Sequence, residues 1–144
     1  MKIKKECTIS TTDSKIKCEE HKRKIIFNNK NRERVKKIIV DNCQITSGVR
    51  CDYLVKHYKN EYFVELKGED IKHAFEQLIR SISILGSNDF QLRKCFVISS
   101  RSPLASPQIQ NIRLKFNREY KSDLIVKNKS FEEDLETTTP NKRS

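Results

Sequence analysis

The sequence predicts an α/β protein of the α+β kind, in which a mixed central β-sheet is covered by flanking helices. Short runs rich in Ile, Val, Leu and Phe alternate with polar turns, which is typical of strands. Two longer segments show the apolar spacing of helices that pack on a sheet. The predicted order is strand, strand hairpin, helix, strand, helix and strand, so we expect a sheet with strands of both directions.

The first predicted elements follow a polar segment. Residues 1–24 contain few apolar side chains, and Thr8 to Ser14 is expected to be a loop. The folded domain is therefore predicted over residues 25–128, beginning with the apolar run at Ile25. Arg34 to Val40 is predicted to be a strand because it ends in three β-branched residues followed by a turn.

A β-hairpin is predicted next. The runs Arg50 to Lys56 and Tyr62 to Lys67 are rich in Tyr, Val, Leu and Phe and are separated by five residues. Because side chains alternate across a sheet, Glu65 and Lys67 share one face of the second strand. Folding the hairpin brings Asp52 of the first strand opposite Glu65 or Lys67.

The second half predicts two helices and two strands. Glu69 to Leu85 has the apolar spacing of an amphipathic helix, with acidic residues in the first turn and Gly86 after its end. A buried strand is expected at 95–98, a helix from Pro107 to about Tyr120, and a last strand at 124–126. Residues 129–144 are expected to form a disordered tail.

The charge indicates an anionic partner. The chain carries a formal net charge of +11, and the last fifteen residues contribute −2, so the rest carries +13. Such a charge on a small domain attracts polyanions, and the interaction depends on salt. A solvated basic surface without any partner is the alternative.

The composition also indicates the compartment. No run approaches the roughly 18 apolar residues of a membrane span, and no secretory signal follows the N-terminal Met, so we expect no membrane partner and a cytoplasmic location. Because cytoplasmic thiols stay reduced, the five cysteines are expected to form no disulfide.

Three polar residues on the hairpin form a set with chemical meaning. Phosphodiester hydrolysis calls for carboxylates that hold Mg²⁺ and for a cation that stabilises charge on the phosphate. Asp52, Glu65 and Lys67 supply this set, in the contexts Arg50-Cys51-Asp52-Tyr53 and Val64-Glu65-Leu66-Lys67. The pattern resembles the PD-(D/E)XK nuclease superfamily, whose restriction-endonuclease-like core is a mixed sheet with a hairpin carrying Asp and ExK, followed directly by a helix.

The resemblance implies a role for each residue of the motif. Asp52 and Glu65 would bind Mg²⁺, for which Mn²⁺ can substitute, and the backbone carbonyl of Leu66 would complete the metal shell. Lys67 would orient the attacking water or the phosphate. Gln77, on the following helix, stands where several members of the superfamily place a glutamine that supports the site.

Alternatives remain open for these residues. Asp52, Glu65 and Lys67 could form an ordinary cross-strand ion pair, and Gln77 could be an amide at the edge of the apolar stripe. An additional acidic residue that many members carry has three candidates: Glu19, Glu20 and Glu33.

Further polar side chains have weaker assignments. A zinc site at Cys7, Cys18, His21 and Cys43 is an alternative to isolated reduced cysteines. His57 and His73 are expected to face solvent. A surface for the phosphate backbone is expected from scattered basic side chains, namely Lys94, Arg101, Arg113, Lys115 and Arg118.

The sequence thus predicts a metal-dependent nuclease acting on DNA rather than RNA, in repair, recombination, restriction or defence. A homodimer is expected because two centres cut both strands most simply. One alternative is a nuclease-fold module with a weak or lost active site that binds nucleic acid or a larger protein. A basic RNA-associated structural protein is another.

Overall fold

The computed structural model describes residues 2–66, 70–100 and 107–135. Within these ranges a short 3-10 helix at Lys5–Cys7 precedes nine strands and two α-helices. The helices are α1 (Ile71–Leu85) and α2 (Pro107–Tyr120). The strands are β1 (Thr8–Thr11), β2 (Lys15–Glu20), β3 (Arg23–Asn28), β4 (Val35–Ile39), β5 (Tyr53–His57), β6 (Asn60–Glu65), β7 (Leu92–Ser99), β8 (Asp123–Asn128) and β9 (Ser130–Asp134).

The main sheet has six strands in the order β1-β4-β5-β6-β7-β8. The first four pair antiparallel, whereas β6, β7 and β8 run parallel to one another. The two parallel connections contain α1 and α2, as expected for crossovers between parallel strands. The predicted mixed sheet with flanking helices is therefore confirmed.

The hairpin β5–β6 is tighter than the sequence indicated. Its loop has two residues, and the first of them, Tyr58, has a φ of 55°. The register pairs His57 with Asn60 and Tyr53 with Val64, so its continuation places Asp52 opposite Glu65. Of the two partners predicted for Asp52, the register selects Glu65.

A second sheet, in the order β2-β3-β9, covers the other face of the main sheet. Each face of the main sheet has its own apolar core. On the helix side Leu54 and Phe63 pack with the apolar stripe of α1. On the opposite side Tyr62 and Phe96 pack against Phe27 of the second sheet. The result is three layers, with helices, main sheet and small sheet stacked in that order.

The central strand β6 is buried along its whole length because both its faces are covered. This burial includes two carboxylates, Glu61 near its start and Glu65 at its end, each with no exposed surface. Glu61 is paired with Arg93, whose Nη2 lies 3.0 Å from the Glu61 Oε1. Glu65 lies at the other end of the strand, beside Asp52.

The structure corrects the prediction for the chain outside residues 25–128. The segment expected to be polar and loop-like contains β1 and β2, and the prediction of a disordered tail is wrong for residues 129–135, which include β9. In β2 only Ile16 and Cys18 are buried, and the residues that alternate with them are charged and exposed, so the strand pattern contains just two apolar positions.

The cysteine prediction is wrong for two residues. Cys7 and Cys43 form a disulfide, which joins the turn before β1 to the loop after β4. Cys18, Cys51 and Cys95 are free and buried. The zinc alternative therefore fails for this set, because two of its four ligands are consumed by the disulfide. Since disulfides are rare in reducing compartments, the cytoplasmic location stays a prediction without support from the cysteines.

Two local expectations also change. His57 is buried, not solvent-facing, and its Nε2 lies 2.8 Å from the Glu33 Oε1. His73 is exposed, as expected. Gly86 follows α1 as expected, but with an extended backbone, and an added Cβ would lie 2.7 Å from the Arg93 guanidinium. The same Cβ would lie 2.6 Å from the Ile82 carbonyl oxygen, so glycine is needed there because the helix backbone approaches closely, and not for a left-handed turn.

No helix in the described part of the chain is long and apolar enough to cross a membrane.

Candidate metal centre

Asp52 is fixed between two strand ends. It directly precedes β5, and its N–H donates to the Val64 carbonyl at 3.0 Å. Its own carbonyl accepts from the N–H groups of Val40 and Asp41. Its side chain is 2% exposed, and the Oδ2 accepts from the Leu66 N–H at 2.7 Å. The carboxylate is therefore oriented by the backbone of the neighbouring strand β6.

Three carboxylates converge at this position. One oxygen from each of Glu20, Asp41 and Asp52 lies within 4.8 Å of the other two. Glu20 ends β2, and Asp41 follows β4. We call these three residues the acidic group. Asp52 is thus brought together with one of the three candidates for an additional acidic residue, and with Asp41, to which the sequence analysis gave no role.

Glu20 reaches the acidic group because of the alternation of side chains along β2. Ile16 and Cys18 turn inward into the core between the sheets, and Glu20 is the next residue on that face. Glu19 points to the opposite face, where it is exposed and pairs with Lys17 at 3.3 Å. Of the three candidates, only Glu20 can therefore reach Asp52, since Glu33 bonds to His57.

The acidic group fits a divalent cation. Mg²⁺ prefers carboxylate oxygens at about 2.1 Å, which places ligands on opposite sides of the ion about 4.2 Å apart. The spread of 4.8 Å between the carboxylate oxygens exceeds this by little, so small side-chain rotations bring them into range. The Leu66 N–H holds the Asp52 Oδ2 and so fixes the orientation of this carboxylate.

Glu65 and Leu66 stand beside the acidic group without belonging to it. Within the described residues, the cluster of carboxylates includes Asp52 but not Glu65. Burial raises the pKa of the Cys51 thiol, and the negative charges of Glu65 and Asp52 both add to the shift, so both carboxylates lie near that thiol. The Leu66 carbonyl accepts from the Arg23 Nη1 at 2.7 Å, which leaves one lone pair for another partner. Lys67 lies outside the described residues.

Gln77 lines a cleft whose wall includes one member of the acidic group, Asp41. It stands on α1, half-buried, and its Oε1 is buried without a hydrogen-bond donor among the described residues. The cleft has a volume of about 330 Å³. Asp41 forms part of its wall and is held there by Arg50, whose Nε lies 2.8 Å from the Asp41 Oδ1. The other lining residues are Gly48, Val49 and His73.

The negative charge of the acidic group contributes to raised pKa values of neighbouring side chains. Burial, together with nearby negative charges that include all three of its carboxylates, raises the pKa of the Tyr53 hydroxyl to about 12. Burial also raises the pKa of Cys18 to about 12, with Asp52 adding to the shift and Lys37 opposing it. The field around the site is one that favours a bound cation.

The predicted phosphate-binding residues are dispersed. Lys94 is half-buried and its Nζ lies 2.6 Å from the Glu133 Oε2, so it is not available at the surface. Arg113, Lys115 and Arg118 are exposed on α2. Arg101 lies outside the described residues.

The residues that sequence reasoning missed are Asp41 and Arg23. Asp41 lies two residues after the end of β4, and Asp52 lies directly before the start of β5. Because β4 and β5 are antiparallel neighbours, these two positions meet at one edge of the sheet, and this spacing is the signal that could have found Asp41 beside Asp52. Arg23 had no such signal, because its position depends on the packing of the second sheet. Comparison with known proteins adds no assignment, since no family model, no curated protein and no solved structure matches this chain.

Proposed function

We propose that this protein is a metal-dependent nuclease that hydrolyses phosphodiester bonds of DNA. One observation carries the proposal: Asp52, which the hairpin register places opposite Glu65, shares the acidic group with Glu20 and Asp41. Carboxylates gathered at one point repel one another, and a divalent ion relieves that repulsion. The hairpin followed by α1 also agrees with the order of elements that the resemblance implies.

Each residue has a distinct task in this proposal. Asp52, Asp41 and Glu20 hold Mg²⁺ or Mn²⁺, and the Leu66 N–H keeps the Asp52 carboxylate in place. When bound, such an ion supplies Lewis acidity, lowering the pKa of a water and offsetting phosphate charge. Glu65, at the edge of the acidic group, and Lys67, assigned by resemblance alone, position the water or the phosphate.

Gln77 supports the site from the helix. Gln77 lines the cleft beside Asp41, and its buried amide oxygen would accept a hydrogen bond from a water or a nucleotide after a side-chain rotation exposes it.

The partner we propose is DNA, because the net charge of +11 favours a polyanion. A two-fold dimer with two centres completes the proposal. The cytoplasmic location expected from the sequence is kept as a proposal, and it requires that the Cys7–Cys43 disulfide resist reduction.

The test compares two neighbouring glutamates. Glu20→Gln removes a ligand from the acidic group, whereas Glu19→Gln removes the same charge from the opposite face of β2. We expect Glu20→Gln and Asp52→Asn to lower both Mn²⁺ affinity, measured by calorimetry, and cleavage of linear, circular, single-stranded and branched DNA, each by about tenfold or more. Glu19→Gln should behave like the wild type, and Lys67→Ala should lose cleavage but keep Mn²⁺ binding.

Two results would contradict the proposal. Wild-type cleavage by Asp52→Asn would remove Asp52 from the site. A wild-type protein that binds DNA but cleaves none of the four substrates with Mg²⁺ or Mn²⁺ would favour the module that has lost its activity.

A further inference from the structure

Arg23 has an unusual environment for a half-buried arginine. Its Nη1 donates to the Leu66 carbonyl at 2.7 Å, and its Nε is buried without an acceptor among the described residues. The described ion pairs of the protein do not include Arg23. A guanidinium has five N–H donors in a rigid plane, and burying such a charge without an anion is costly. Arg23 therefore has donors to spare.

The β2–β3 hairpin places Arg23 directly across from Glu20 of the acidic group. Its turn consists of His21 and Lys22, with φ values of 48° and 67°, which suits the tight turn of a two-residue hairpin. Arg23 is the cross-strand partner of Glu20. Because Ile25 and Phe27 turn inward along β3, Arg23 lies on the same inward face, as Glu20 does along β2.

Ion pairs of the lysines in and around the second sheet are unevenly distributed between its two ends. At the far end of the second sheet, three lysines form ion pairs with acidic residues of β9. Lys15 pairs with Glu132, Lys30 with Asp134 and Lys94 with Glu133. At the hairpin tip, no described ion pair involves the basic side chains. These are Lys22, Lys24 and Lys129.

The tip is also joined to the main sheet. The Lys24 N–H donates to the Lys129 carbonyl at 3.0 Å, and the Lys129 N–H donates to the Ser99 carbonyl at 2.8 Å. These three lysines therefore stand at the same edge as the end of β7, close to the end of β6 that carries Glu65.

We propose that Arg23 binds a phosphate of the nucleic-acid backbone, and that the tip of the β2–β3 hairpin with Lys22, Lys24 and Lys129 guides the strand toward the acidic group. The planar guanidinium matches two phosphate oxygens, which a lysine cannot do. Arg23 then turns its spare donors to the phosphate next to the ion held by Glu20, its cross-strand partner. This inference rests on the proposed function, because it places the substrate at the proposed centre.

The test uses two arginines of equal charge. Arg23→Gln is compared with Arg34→Gln, which removes an exposed arginine just before β4, at the end of that strand opposite to Asp41. Binding of a fluorescein-labelled DNA duplex is measured by polarisation with Ca²⁺ in place of Mg²⁺. We expect Arg23→Gln to weaken binding about tenfold and Arg34→Gln to leave it nearly unchanged.

A second variant separates charge from geometry. Arg23→Lys keeps the charge and a donor for the Leu66 carbonyl but loses the planar fork, so we expect a folded protein whose cleavage rate is still reduced. Thermal unfolding of both variants checks the fold, and if Arg23→Gln does not fold, Arg23→Lys decides alone. Wild-type DNA binding and cleavage by Arg23→Lys would then overturn the inference, as would equal binding by Arg23→Gln and Arg34→Gln.

Failure of the proposed function gives a different result. If the wild type neither binds Mn²⁺ nor cleaves DNA, the nuclease proposal fails. A tenfold loss of duplex binding in Arg23→Gln under those conditions would still establish Arg23 as a phosphate-binding residue. A wild type without any affinity for the duplex would overturn both.

Discussion

At the scale of single residues, the burial of free thiols is the recurring feature. Three free thiols lie in the interior, and burial raises the pKa of Cys18 and of Cys95 from 9.0 to about 12. Each thiol is therefore neutral in the folded protein at pH values where it ionises in the unfolded chain. The buried neutral thiols therefore contribute stability to the folded state below pH 9. This contribution is lost as the pH rises from 9 to about 12.

We expect Cys18→Ala to reduce this alkaline loss of stability. The variant lacks one thiol that must stay protonated, so its free energy of unfolding should fall less than that of the wild type between pH 9 and about pH 11. Near pH 7 the variant should be less stable, because the smaller side chain leaves a cavity. Urea unfolding at a series of pH values under argon measures both effects, and identical pH profiles would contradict the prediction.

At the scale of elements, β6 combines a structural carboxylate and a candidate functional one on the same face. Glu61 accepts from the Arg93 Nε at 3.1 Å and from the Ser87 N–H at 2.8 Å. Arg93 also donates to the Tyr120 carbonyl at 2.9 Å. These contacts join β6 to β7, to the end of α2 and to the segment after α1.

We expect Glu61→Ala to lower the free energy of unfolding by about 3 to 5 kcal/mol, because it leaves the buried Arg93 charge without its carboxylate. Glu119→Ala is the control, since Glu119 belongs to an exposed pair at 4.0 Å with Arg118 and should cost less than about 1 kcal/mol. Urea unfolding at neutral pH gives both values. A loss at Glu61 no larger than that at Glu119 would show that the network does not hold the elements together.

The elements differ in how well the sequence predicts them. The hairpin β5–β6 and α1 are predictable because each contains many apolar residues whose spacing fits a single kind of secondary structure. β9 is not, because its only apolar residue is Phe131, and its strand conformation depends on pairing with β3. The strand pairing of β9 is a long-range contact that no local pattern encodes.

The same distinction holds for the candidate site. Asp52 and Glu65 are predictable as a pair because a short hairpin fixes their register. Glu20 remains one of three candidates until the second sheet shows which face it occupies. Arg23 and Asp41 depend on contacts between segments that are distant in sequence, so composition and spacing alone do not assign them a role.

At the scale of the whole molecule, the disulfide Cys7–Cys43 ties the start of the chain to the loop that follows Asp41. It closes a loop with a sequence separation of 36 residues. Restricting the unfolded chain over such a loop contributes about 4 kcal/mol to stability.

We expect reduction of this disulfide to lower the free energy of unfolding by about 2 to 5 kcal/mol. Cys7→Ser with Cys43→Ser should give the same loss without reductant, and reductant should not change that variant further. Thiol titration of the unfolded wild type should count three free thiols before reduction and five afterwards. Five thiols in the unreduced protein would show that the bond does not form.

The pairing of β3 with β9 also bears on how the protein is made. Asn28 of β3 donates to Asp134 of β9 across a sequence separation of 106 residues. Ribosomes add about 5 to 20 residues per second, so a nascent chain spends several seconds with β2 and β3 outside the exit tunnel before their edge partner is synthesised. Because the second sheet carries Glu20 and Arg23, we expect the acidic group and its neighbouring arginine to be assembled late in translation, after the hairpin β5–β6 and α1 have emerged.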